Sequence, residues 1–96
     1  MSEVRQTDIF ADWLARLGDV NAKARILARI RRLELDNPGD VKSVGGGVSE
    51  MRIDYGPGYR VYLTRRAHTI VILLCAGDKS SQRRDIKLAQ QLAKEV

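Results

Sequence analysis

The run Ile70-Val71-Ile72-Leu73-Leu74-Cys75-Ala76 is apolar at every position. A strand with one face in water alternates apolar and polar residues. An unbroken apolar run of strand length instead reads as an interior strand of a sheet, with both faces partly covered. In a chain of 96 residues that sheet must be the centre of one domain, because the length supports one modest core and no second. Residues 1–96 are therefore read as a single domain.

The rest of the chain supplies the neighbours of that strand. Thr7 or Asp8 can cap a helix through Ile9, Phe10, Trp13, Leu14 and Leu17, which are apolar at helical spacing. Gly18 stops it, and Asp19 offers an N-cap to a second helix from about Val20 to Leu35. On that helix Ile26, Ile30 and Leu33 share one stripe, and Arg25, Arg29 and Arg32 form a parallel stripe one residue further round. So short a link makes a helical hairpin, which Asn37-Pro38-Gly39 ends.

Asp40 to Gly47, with its Gly45-Gly46-Gly47 triplet, reads as a mobile linker. It lacks the Gly-Lys-Ser/Thr that would make it a phosphate-binding loop. Strands are expected at about Val48–Asp54, Tyr59–Arg65 and Thr69–Ala76 as an antiparallel meander, with Val4–Gln6 a possible edge strand. Ser80 or Ser81 can cap a closing helix that buries Ile86, Ala89, Leu92 and Ala93. The expected class is α+β: an N-terminal helical hairpin on a small, mostly antiparallel sheet, with a C-terminal helix.

Composition narrows the chemistry. The net charge of +5 and pI near 9.8 favour a polyanionic partner. The basic excess is mostly arginine, whose planar fork suits phosphate, so nucleic acid is favoured over a membrane surface. A single cysteine, Cys75, excludes an internal disulfide and a cysteine metal cluster. No metal or cofactor is expected. The N-terminus has no apolar leader segment, and no stretch is long enough to span a bilayer, so a cytoplasmic location is expected.

Strand alternation sorts the polar residues. Met51 and Ile53 share one face of their strand and Glu50, Arg52 and Asp54 the other; in the next strand Val61 and Leu63 oppose Arg60 and Tyr62. Burying an unpaired arginine costs several kcal/mol, so the apolar sets must face the core. Arg52 can then share a face with Arg60 or Tyr62 only across a hairpin loop of odd length, and Gly56 and Gly58 permit the positive φ such a loop needs. The expectation is a concave polar face carrying Glu50, Arg52, Arg60 and Tyr62, with Lys79 arriving from the loop after the next strand. The competing reading is a solvated sheet face on which Glu50 pairs with Arg52 or Arg60. His68, in the turn Arg66-Ala67-His68, reads as a solvent-exposed turn residue.

Gly58-Tyr59-Arg60-Val61-Tyr62, followed by Gly77-Asp78-Lys79-Ser80-Ser81-Gln82-Arg83-Arg84-Asp85-Ile86, resembles the RelE/ParE superfamily of type II toxins. The resemblance is strongest to its HigB-like branch of addiction-module killer proteins. Phe10-Ala11-Asp12-Trp13-Leu14 and Asn37-Pro38-Gly39-Asp40 also fit that branch, so the likeness spans essentially the whole chain. It implies a helical hairpin on a small sheet, a cognate antitoxin often of helix-turn-helix type, and, in RelE-type members, metal-free cleavage of messenger RNA on the ribosome. Arg60 matches the arginine that contacts the scissile phosphate, Lys79 the basic residue of the loop after the last strand, and Arg52 falls near the family's cationic strand. The C-terminal tyrosine of some RelE members is unmatched, with Asp85 or Ile86 near its position, and the histidine cluster of some HigB members is absent.

RNA carries its own nucleophile, so catalysis can consist of aligning the 2′-hydroxyl, moving two protons and stabilising the phosphorane charge. The candidates are Arg60 and Lys79 for that charge with Arg52 assisting, Glu50 as base, and Tyr62, Tyr59 or Lys79 as acid. Arg25, Arg29, Arg32, Lys42, Tyr59, Arg83 and Arg84 are candidates for contact with messenger or ribosomal RNA. An ordinary solvated helix face is the alternative for the helical arginines. Two other functions fit the same fold: a ParE-like inhibitor of DNA gyrase, and a non-enzymatic antitoxin-binding protein.

Overall fold

The computed structural model describes residues 1–96. Strand β1 (Glu3–Gln6) leads into helices α1 (Asp8–Arg16) and α2 (Val20–Glu34). Strands β2 (Val41–Gly45), β3 (Val48–Ile53), β4 (Tyr59–Arg66) and β5 (Ile70–Gly77) follow, and a single 3-10 turn (Lys79–Ser81) opens helix α3 (Gln82–Glu95). The architecture is α+β, as expected.

Both N-terminal helices begin at the anticipated caps. Thr7 accepts a hydrogen bond from the Phe10 amide, and Asp19 accepts one from the Ala22 amide. Each satisfies an amide that the first helical turn would otherwise leave unpaired. The closing helix starts differently. Ser81 makes no side-chain cap, and the capping oxygen belongs to Asp78, which receives the Ser80 amide.

The five-stranded sheet has the order β1-β5-β4-β3-β2. Every neighbouring pair is antiparallel except β1 and β5, which run parallel. The apolar run thus lies inside the sheet, between β1 and β4. One sheet face packs on the helical hairpin through Phe10, Ile26, Leu33, Met51, Ile53, Val61, Leu63, Val71 and Leu73. The other packs on α3 through Val48, Tyr62, Leu74, Cys75, Ala89 and Ala93.

Residues 40–47 correct the linker reading. Val41 to Gly45 form an edge strand whose cross-strand partners on β3 include Met51 for Val41 and Glu50 for Lys42. Gly45, Gly46 and Gly47 all adopt positive φ and form the tight return. The triplet therefore serves as a hairpin turn, a use of glycine that needs no mobility.

At the far end of the sheet Arg66 Nη2 donates to the Ala93 carbonyl of α3 at 2.7 Å. That carbonyl lies in the last helical turn, where acceptors lack intrahelical donors. Arg66→Ala is expected to lower stability by about 1 kcal/mol, given the exposed position. Urea unfolding with an unchanged m-value would register it.

Candidate functional site

Ile53 pairs with Tyr59, so the β3–β4 loop runs from Asp54 to Gly58 and is odd in length, as the facing argument requires. Arg52 pairs with Arg60 and Glu50 with Tyr62. The four side chains do share one face, but that face is not uniformly open. Glu50 and Tyr62 are fully buried beneath α3, whereas Arg52 is exposed and Arg60 only slightly so. The expected concave polar face is therefore open only at Arg52 and Arg60. Alternation determines which residues share a face, and α3 determines how much of that face is roofed.

The roofed part is a polar knot around Glu50. Tyr62 donates its hydroxyl to Glu50 Oε2 at 3.1 Å, and Gln82 Nε2, from the first turn of α3, donates to the same oxygen at 2.9 Å. Arg60 Nε lies 3.7 Å from Oε2 and Lys42 Nζ 3.9 Å from Oε1. Oε1 accepts no hydrogen bond. Burial, reinforced by Glu50, holds the Tyr62 hydroxyl well above its ordinary pKa. Neither Glu50 nor Tyr62 can touch a substrate directly in this arrangement, so their assignments as base and acid give way to a role behind Arg60. Lys42 is likewise oriented toward Glu50, although its side chain stays half in solvent.

In front of the knot is a cleft of about 280 Å³ lined by Asp40, Arg52, Asp54, Gly58, Tyr59 and Arg60. Arg60 Nη1 donates to the Gly58 carbonyl at 2.7 Å, and its side chain is only 11% exposed. Arg52 spans Asp40 with two contacts of 3.2 Å. The Lys79 turn joins the same corner. Its amide approaches the Pro57 carbonyl at 3.4 Å, and a Cβ on Gly58 would lie 3.6 Å from Lys79 Cβ and 3.2 Å from Arg60 Nη1. Gly58 has φ of +79°, so its glycine serves the turn and also leaves room for the Arg60 guanidinium. Asp78, beside Lys79, is held below the usual carboxyl range, chiefly by the Ser80 hydroxyl and in small part by Arg60.

The helical arginines divide. Arg29 is engaged within the fold: its guanidinium donates to the carbonyls of Arg52 at 2.5 Å, Pro38 at 3.0 Å and Asp40 at 3.3 Å. Helical periodicity places it on a cationic stripe, but the incoming 38–40 segment claims it. Burial lowers its pKa, with Arg32 adding to the effect. Arg25 lies over the Tyr55 ring at 4.7 Å, a cation–π contact, and Arg32 is exposed. Arg83 and Arg84 are exposed on α3, and His68 is exposed in its turn. Asp40 and Asp54 line the cleft although only their neighbours were singled out from the sequence. The signal for Asp54 was its position two residues beyond Arg52 on the same face.

Cys75 is buried, with its thiol pKa pushed up to about 12 by burial and, secondarily, by Asp85. The folded protein should leave this thiol unmodified by iodoacetamide at pH 8.5, and denaturant should expose it to full alkylation. Its linkage has a definite sign. Above about pH 9 the unfolded thiol loses its proton first, so this group lowers stability as pH rises toward 12.

Fold and cleft together define a small α+β domain with an anchored cationic corner at one end of its sheet. The chain belongs to the family described as Phage derived protein Gp49-like (DUF891), which matches residues 12–94. That family is related to the RelE toxin superfamily and is associated with toxin–antitoxin systems, which points to an antitoxin as partner. A Haemophilus influenzae protein, described as uncharacterized, is 52% identical over 94 residues, covering 98% of this chain and 95% of its own length.

Proposed function

We propose that the chain is the toxin of a type II toxin–antitoxin pair, of HigB-like type, and that it cleaves messenger RNA on the ribosome. The observation that carries this reading is the setting of Arg60: a nearly buried guanidinium anchored by Glu50 and Gly58 at the floor of an open cleft, with Arg52 and the Lys79 turn beside it. Cations held in place before the substrate arrives stabilise developing charge without reorganisation.

In the proposed reaction the ribose 2′-oxygen bonds to the adjacent phosphorus while the bond from phosphorus to the 5′-oxygen breaks. The 2′ proton leaves and the 5′-oxygen gains one, giving a 2′,3′-cyclic phosphate and a 5′-hydroxyl. Arg60 and Lys79 bear the phosphorane charge with Arg52 assisting, in place of a metal. With Glu50 roofed and Asp40 engaged by Arg52, Asp54 is the cleft carboxyl left to take the 2′ proton. Tyr59, which lines the cleft, and Lys79 are the donors assigned to protonate the leaving oxygen.

Induced expression without the antitoxin tests the reading. New 5′ ends within translated messages, with no SOS response, support it. Intact messages with double-strand DNA breaks would instead indicate a gyrase inhibitor, and unimpaired growth a non-enzymatic binding protein.

A further inference from the structure

We infer that a second cleft, next to the Arg60 corner, is a nucleobase subsite that favours bases with an exocyclic amino group. It has a volume of about 500 Å³, and Trp13, Tyr59, Gly77, Asp78, Arg84 and Asp85 are among its lining residues. Tyr59 lines both clefts, so a base held here adjoins a phosphate held at Arg60. The inference rests on the ribonuclease reading for its choice of RNA, but not for its test.

Trp13 and Tyr59 are each half-buried, with part of the ring on the core and the remainder lining the cleft. Their ring centroids are 6.0 Å apart at 71°, which makes a corner rather than a closed stack. A base can stack on one ring while its edge meets the other. Single-stranded RNA is commonly gripped in this way, by an aromatic platform with polar groups reading the base edge.

The polar groups are at hand. Asp85 is only 7% exposed, and its Oδ2 accepts a hydrogen bond from Ser81 Oγ at 2.5 Å, leaving Oδ1 without a side-chain donor. Its seat exists because residue 77 is glycine. A Cβ there would lie 2.0 Å from Asp85 Oδ2. An acceptor in this position suits the amino hydrogens of adenine, cytosine or guanine, whereas the one edge donor of uracil, N3–H, is flanked by two carbonyl oxygens that a carboxylate repels. Arg84 supplies a donor for ring nitrogens or carbonyl oxygens.

Trp13 is the only tryptophan, so its fluorescence reports on the cleft directly. Full-length protein titrated with AMP, CMP, GMP and UMP should show quenching that saturates at roughly tenfold lower concentration for the amino bases than for UMP. Inorganic phosphate alone should leave the emission unchanged. Asp85→Asn should erase the preference against UMP, and Arg84→Ala, on the exposed helix face, should weaken all four nucleotides. Equal response to all four nucleotides in the wild type, or a response to phosphate alone, would overturn the inference whether or not the Asp85 variant folds. Nucleotide binding without message cleavage would overturn only the ribonuclease reading. Cleavage by a protein whose Trp13 ignores nucleotides would overturn only the subsite.

Discussion

Replacing Arg60 with alanine is expected to slow cleavage of ribosome-bound message by about a hundred- to a thousandfold, the loss typical of removing one preorganised donor from a site of developing charge. Arg60 is slightly exposed, pinned by the Gly58 carbonyl, and faces the Glu50 carboxyl at 3.7 Å, so its position is set before any substrate binds. Arg60→Lys keeps a charge but loses the planar fork, and it should recover only part of the rate. Circular dichroism and urea unfolding on both variants would separate a lost reaction from a lost fold. An Arg60→Ala protein with intact fold and normal cleavage would remove Arg60 from the mechanism.

The second large effect concerns Glu50. Truncation to alanine leaves the nearly buried Arg60 without its opposite charge and leaves the Tyr62 hydroxyl and Gln82 amide without their shared acceptor. Breaking one side of such a buried pair typically costs about 3 kcal/mol or more. Glu50→Gln keeps an acceptor of nearly the same shape, so most of the stability should return. Cleavage should stay reduced because Arg60 is no longer held by charge, and the pH profile should keep its wild-type shape. A glutamine variant that loses only the acid limb of that profile would restore Glu50 to the role of base.

The contrast between these two residues marks how far the sequence could be read. Period-2 alternation placed Glu50, Arg52, Arg60 and Tyr62 on one face and required a hairpin loop of odd length, and both hold. The roofing of Glu50 and Tyr62 was not legible, because it depends on where α3 docks. Alternation within a strand carries no information about that. The apolar run of β5 did announce that both sheet faces are covered, but not how far along each strand the cover extends.

Two other differences have local causes. The β2 strand was hidden because Gly45-Gly46-Gly47 suppress strand propensity while forming the very turn that lets Val41–Gly45 pair with β3. Arg29 looked like part of a free cationic stripe because a helical wheel does not register the carbonyls of Pro38, Asp40 and Arg52 that approach from elsewhere. Gly39 completes that contact. Its φ is +74°, and a Cβ there would lie 3.1 Å from Arg29 Nη2.

The central claim is that the Arg60 corner directs a ribose 2′-hydroxyl against its own phosphodiester. The most direct measurement is the chemistry of the ends produced when the purified protein meets a programmed ribosome. A 2′,3′-cyclic phosphate or 3′-phosphate upstream and a 5′-hydroxyl downstream, lost with Arg60→Ala, is the predicted result. A 5′-phosphate product, or a message left whole, would contradict it.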